Sequence, residues 1–223
     1  MMNFLFGPTS TSTLQEWIPD RIETGQCQGF ATSQGQGLSL IAEKSHSWEE
    51  FAAPFPSGWS PDLLVCYLPY QQIPNWLWKA PIPIIGLAAD WNWQWHSYRT
   101  ILPLCDLVLT DTRGQQIMHQ QGWNHIEVAN LYGLEQSFLK ESDSTERDID
   151  LLFVGNVQSA VQRERLPWLA RLGQLQKDWN VVIAQGVFGK DYRELLRRAK
   201  LVFNHSARGE ANRRMFEAPA CGA

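Results

Sequence analysis

Asp90 and His96 stand six residues apart, and each can take a proton from a reacting hydroxyl. Asp90 closes the apolar run Pro83–Ala89, which puts it at the carboxyl end of an expected strand, where ligand clefts of open α/β sheets lie. Asp also suits the cap of a helix, and capping a helix from Trp91 onward is its competing use. His96 reads equally as a solvated or structural imidazole. Gly155-Asn156 ends a second apolar run, Ile149–Val154. Glycine there either lets the backbone approach a ligand closely or makes an ordinary turn. Arg163 and Arg165 follow near the start of the next helix, where one can reach a phosphate, although arginines so placed are more often solvated, and both rank below Arg214. Arg214 and Glu217 stand three apart, a spacing that on a helix surface makes an ion pair of little worth.

Other spellings are weaker. Asp148-Ile149-Asp150 has the DxD form that holds a metal on a diphosphate, but it opens a strand, at the end away from ligand clefts. The two carboxylates are read as polar groups at strand entry, and no metal site is expected. The sequence has no GxGxxG after a strand, no GxxxxGK[ST], no HExxH and no GxSxG. Cys27, Cys66, Cys105 and Cys221 are widely spaced without a CxxC and read as buried thiols. Nine of the eleven tryptophans lie in the first 123 residues, with Trp91, Trp93 and Trp95 alternating and Trp76, Trp78 and Trp123 nearby. They form either an aromatic platform for a ligand or part of a core, the second being favoured because three alternating residues on a helix cannot face one way.

The elements that position these residues alternate. In the second half, Ile149–Val154, Asn180–Ala184 and Leu201–Asn204 read as short buried strands. Helical periodicity falls between them over Gln162–Gln176 and Lys190–Lys200, and a last helix is expected over Ala211–Ala220. The first half offers strands at Asn3–Phe6, Leu38–Ala42, Asp62–Leu68, Pro83–Ala89, Asp106–Thr110 and His125–Ala129, with a helix over Gly114–Gln121. This alternation predicts two doubly wound parallel sheets of Rossmann-like α/β type. The polar stretch LKESDSTERD predicts a linker at 141–148 between domains at 1–140 and 149–223. Three strands leave the second sheet short of covering helices, so that domain is expected to be truncated.

Composition narrows the classes. The 223 residues are 44% hydrophobic and 19% charged, a globular balance that excludes disorder, collagen and a long coiled coil. The longest apolar run falls far short of the ~20 residues of a membrane helix, and the start lacks the basic region of a signal peptide. A cytoplasmic protein is expected. The formal net charge of −4 is uneven. Residues 1–145 carry 6 Lys/Arg against 14 Asp/Glu, whereas residues 146–223 carry 13 against 9. The second half therefore either faces something anionic or merely carries solvated helices. A pI near 5.7 argues against a nucleic-acid partner.

The run Asn212-Arg-Arg-Met-Phe-Glu-Ala-Pro-Ala-Cys-Gly222, with Val154-Gly155-Asn156 before it, resembles the second domain of nucleotide-sugar glycosyltransferases of the GT-B fold, in particular the group 1, spore-maturation type. The matched positions are Asn212, Arg214, Phe216, Glu217, Ala218, Ala220, Cys221 and Gly222. The order LLVCYLP, GLAADWNWQWHSY, CDLVLTDT in the first half is similar to that family's first domain. The resemblance implies glycosyl transfer from a nucleotide-sugar to a hydroxyl acceptor such as a glycan, without a metal. It gives Glu217 the ribose diol, Arg214 the diphosphate, and the helix start near Asn212 further donors. Gly155, Asn156 and Arg163 complete the implied donor site. The donor would sit on the second domain and the acceptor on the first, across a cleft, with Asp90 or His96 as base. The family's first glutamate would stand at Gly209 and Glu210 is one place late, so stereochemistry stays open. Two other readings are a non-catalytic remnant that binds or scaffolds, and a sugar-nucleotide epimerase on the same fold.

Overall fold

The computed structural model describes residues 2–139, 146–160 and 162–223, and the chain divides into two compact units, Met1–Leu131 and Tyr132–Ala223. Residues 141–145 of the expected linker lie outside the described residues.

The first unit is a seven-stranded sheet of β1 (Phe4–Gly7), β2 (Cys27–Ala31), β3 (Leu40–Ile41), β4 (Leu63–Tyr67), β5 (Ile84–Leu87), β6 (Leu107–Thr110) and β7 (Ile126–Val128). Their order is β3-β2-β1-β4-β5-β6-β7, and every pair is parallel. The connections carry α1 (Thr11–Trp17), α2 (Pro19–Glu23), α3 (Trp48–Ala52), α4 (Trp91–Ile101) and α5 (Thr112–Gln120). Alternate residues of each strand serve opposite faces. Leu5, Leu64 and Cys66 join the large core under α3, α4 and α5, while Phe6, Val65 and Tyr67 join a smaller core with Leu14. A sheet covered on both faces is what parallel pairing requires.

The second unit begins with α6 (Gln136–Leu139) and continues through β8 (Ile149–Val154), α7 (Leu166–Gln174), β9 (Val181–Ala184), α8 (Gly189–Arg198), β10 (Ala199–Val202) and α9 (Arg214–Ala220). Its parallel sheet has the order β10-β8-β9. The core joins Ile149, Leu152 and Val154 of β8 to Leu196, Ala199, Ala218 and Cys221, and Phe138 of α6 closes it from the N-terminal side.

Three expectations shift. Cys27–Ala31 is a strand that was not expected. Its sequence CQGFA has no apolar run, and it is held by pairing with β1 and β3. The third strand of the second unit begins at Ala199, two residues early, because the cap of α8 turns straight into extended backbone there. The last helix starts at Arg214 rather than Ala211.

Among the described residues no helix is long and apolar enough to cross a membrane. All four cysteines are buried and unbonded, and burial pushes the thiols of Cys27 and Cys105 up to about 12.

Candidate functional site

In the second unit the chain runs from β8 outward to β9, then crosses back to β10 on the other side of β8. That reversal opens a crevice beyond the carboxyl ends of the strands. A cavity of about 300 Å³ fills the place, lined by Gly155 from the end of β8, Phe188 just before α8, and Asn212, Arg214 and Glu217 around α9.

Two guanidiniums dominate it. Arg214 donates through Nη1 to Asn204 Oδ1 at 3.0 Å and through Nη2 to the carbonyl of Val154. Arg165, the residue before α7, donates to the carbonyls of Asn156 (3.0 Å) and His205 (3.1 Å). Both arginines are tied to the backbone around the end of β8, which fixes their direction. Burial, and then the charge of Arg214, holds the pKa of Arg165 below its ordinary value. Arg165 Nε, Arg214 Nε and Asn212 Oδ1 are buried without a hydrogen-bond partner. The two unmet Nε–H donors, on neighbouring cations, suit an anion, whereas Asn212 Oδ1 is an acceptor and suits a hydroxyl or N–H of a ligand.

Gly155 is needed for this approach. A Cβ on it would stand 2.9 Å from Arg214 Nη2 and 3.0 Å from Phe153 Cζ. Glu217 is buried in the first turn of α9 and accepts from the Tyr192 hydroxyl at 2.8 Å. Burial raises its carboxyl pKa, while Tyr192, Arg213 and Arg214 pull it back.

The crevice thus brings together Gly155, Asn212, Arg214 and Glu217 of the expected donor set. Asn156 lies exposed beside it, with Oδ1 accepting from the Gln158 amide at 2.8 Å. Arg163 is exposed, and Arg165 is the arginine that turns inward. Arg165 stands four residues before the buried Leu169, so the two share a helix face, and that spacing is the signal that separates it from Arg163. Tyr192, within the helix expected over Lys190–Lys200, also lines the cavity and was not among the expected site residues.

Asp148 and Asp150 lie at the opposite end of β8. Asp148 pairs with Arg198 (2.5 Å) and Asp150 with Lys200 (2.6 Å). Among the described residues no cluster of His, Cys, Asp and Glu is suited to a metal.

In the first unit, Asp90 stands at the carboxyl end of β5 and precedes α4, but its side chain does not cap the helix. Its backbone is left-handed, φ 51°, and so is that of Tyr70 after β4, φ 58°. Both conformations are uncommon without glycine and mark strain of the kind found at functional sites. The Tyr70 hydroxyl bonds the Asp90 carboxylate, whose pKa is raised by burial and partly lowered again by that bond. His96 is exposed on α4. Six residues turn a helix by about 600°, which sets His96 well round from Asp90, and no contact joins the two.

The tryptophans are mostly structural. Trp91 is buried and its Nε1 donates to Asp111 at 3.2 Å. Trp76, Trp78, Trp95 and Trp123 pack against the large core.

Residues 135–223 match the model of a family described as glycosyl transferase-like. No curated protein matches the sequence. Among solved structures, Anabaena Alr3699/HepE in complex with UDP and glucose is similar over 100% of this chain and 79% of its own, with a TM-score of 0.57 at 13% identity. A Listeria monocytogenes protein carrying a provisional assignment as UDP-N-acetylglucosamine 2-epimerase is similar over 99% of this chain and 77% of its own, with a TM-score of 0.50 at 10% identity. These likenesses show the fold, two Rossmann-like units of GT-B type.

Proposed function

We propose that this chain, whose second unit carries the glycosyl transferase-like match, moves a sugar from a nucleotide-sugar to a hydroxyl acceptor without a metal. The observation that carries the reading is the convergence of Arg165 and Arg214 on Gly155 at the end of β8, with Glu217 in the same cavity. The solved structure with UDP and glucose, on the same fold, supports it.

The chemistry follows from the residues. The acceptor oxygen forms a bond to the anomeric carbon. That carbon's bond to the diphosphate oxygen breaks, and its electron pair goes to the diphosphate. Arg165 and Arg214 neutralise the charge that develops there, the role a metal would otherwise fill. Glu217 accepts from the ribose hydroxyls, and its ionised form accepts from both. Asp90 takes the proton of the acceptor hydroxyl, helped by the raised pKa that burial gives it.

Calorimetric titration with UDP, GDP and TDP in EDTA tests the reading. Saturable binding of one nucleotide, lost in Arg214→Ala, is expected. No binding by folded protein would overturn it and leave a non-catalytic module as the better account.

A further inference from the structure

Glu217 stands three residues after Arg214, a spacing at which the two would pair across a helix surface. Arg214 instead sends Nη1 to Asn204 Oδ1 and Nη2 to the Val154 carbonyl. Arg213, just before the same helix, reaches Glu135 at 3.9 Å. Among the described residues, the side-chain bond that Glu217 accepts comes from Tyr192, whose hydroxyl lies 2.8 Å from Oε2. The two residues are 25 positions apart and belong to different helices, so the fold alone joins them.

Tyr192 is anchored where it can hold that bond. It lies on α8, and its ring meets Phe138 of α6 edge-on, with centres 6.1 Å apart and planes 74° apart. Phe138 is buried and belongs to the core of the unit. Packing of this kind fixes the ring. The same residue lines the cavity together with Arg214 and Glu217. Burial, and then the charge and the bond of Glu217, raise the tyrosine pKa, while Arg214 lowers it in part. The hydroxyl therefore keeps its proton and donates it to the carboxylate.

The hold matters because Glu217 is buried. A buried carboxylate without a partner takes a proton, and a protonated carboxyl accepts fewer bonds. A carboxylate free to turn would meet Arg213 or Arg214 instead. Tethered through Oε2, it keeps Oε1 as an acceptor for a ligand in the cavity. In its ionised form it accepts from both hydroxyls of a diol.

We propose that Tyr192 is a positioning residue, which holds the Glu217 carboxylate in place as the acceptor for the ribose diol of a nucleotide. The ribose role of Glu217 rests on the glycosyl-transfer reading; the hold of Tyr192 on Glu217 rests on the geometry alone.

Calorimetry on the full chain tests it, with UDP and with dideoxy-UDP, which lacks both ribose hydroxyls and keeps the base and the diphosphate. The ratio of the two affinities reads the diol contact, and the ionisation of the phosphates, common to both ligands, cancels. Wild type is expected to prefer UDP about tenfold. Tyr192→Phe is expected to cut that preference about fivefold, mainly by weakening UDP, and to have no further effect on the ratio in a Glu217→Gln background. Tyr192→Met, which also lacks the hydroxyl, repeats the test should urea unfolding show the Phe variant unfolded. A pH series supplies a second readout. The Glu217 carboxyl faces Tyr192 from α8, Arg213 and Arg214 at the start of α9, Glu135 before α6 and the Cys221 thiol at the end of α9. Burial raises its pKa and the Tyr192 bond lowers it. The preference for UDP is therefore expected to fade as pH drops through that pKa, and in Tyr192→Phe to fade at higher pH. A preference that Tyr192→Phe leaves unchanged in size and pH dependence overturns the proposal and leaves the donor reading standing. So does equal weakening of both ligands, which marks Tyr192 as support for the fold only. Wild type that binds both ligands alike overturns the ribose role of Glu217 and the proposal with it. No UDP binding by folded wild type overturns the donor reading as well.

Discussion

Arg165 and Arg214 hold their guanidinium carbons 5.3 and 5.2 Å from one ring centre, that of Phe153. Phe153 is fully buried in β8, so two long side chains from distant parts of the unit share one rigid support. Cation–π attraction of about 0.5–2 kcal/mol each offsets part of the repulsion between them. What remains is relieved when an anion binds.

Gly155→Ala tests the closeness of that approach. The new methyl group meets Arg214 Nη2 and the Phe153 ring inside contact distance, so the guanidinium must move. Overpacking of this kind costs about 1–3 kcal/mol. A lower unfolding midpoint in urea and a UDP affinity about tenfold weaker are expected, read by chemical denaturation and calorimetry.

Arg214→Lys keeps the charge and loses the fork. A lysine cannot reach Asn204 Oδ1 and the Val154 carbonyl together as the guanidinium does. UDP affinity is expected to fall about tenfold, the cost of roughly one charge-assisted bond. Wild-type affinity is expected to weaken as salt rises, which titration at two ionic strengths checks.

Glu217→Gln separates stability from binding. The carboxyl pKa is raised in the folded protein by burial, so folding favours the protonated form. Its contribution is therefore present below the unfolded pKa and is lost as pH rises through the folded value. The Gln variant is expected to be more stable than wild type at neutral pH and to lose that advantage in acid, while binding nucleotide less well. Thermal melts across pH, with and without UDP, show both effects.

Asp90→Asn is expected to lower kcat by about 10²–10⁴ and to leave UDP affinity unchanged. Asn tolerates the left-handed backbone at this position, so the fold should persist. In the wild type, activity is expected to fall with acid from above the ordinary carboxylate range, because burial raises the Asp90 pKa. Tyr70→Phe removes the bond that lowers it, and the acid limb of the rate profile should move to higher pH.

The sequence was readable where burial wrote a pattern. Ile149–Val154 is a run of apolar residues because β8 is the central strand of its sheet, and its bounds were plain. Cys27–Ala31 was hidden because its strand character comes from its neighbours. Gly155 was legible as the residue that ends a strand, whereas Arg214 and Glu217 were legible only through the resemblance carried by the run Asn212–Gly222, their three-residue spacing alone reading as a surface ion pair. Arg165 and Tyr192 were less legible: an arginine's direction and a tyrosine's hydroxyl partner depend on packing that spacing does not encode. The alternation of Trp91, Trp93 and Trp95 was ambiguous for the same reason. Trp91 is buried and Trp93 is exposed, although the two are identical in type.

The uneven placement of tryptophan gives the two units different optical voices. Nine of the eleven indoles belong to the first unit, and several are packed against its core. The two in the second unit, Trp168 and Trp179, are 47% and 58% exposed in the folded state. Their emission should already resemble that of indole in water. A red shift on unfolding would therefore report the first unit almost alone, while circular dichroism would record both. A gap between the two curves would measure how independently the units melt.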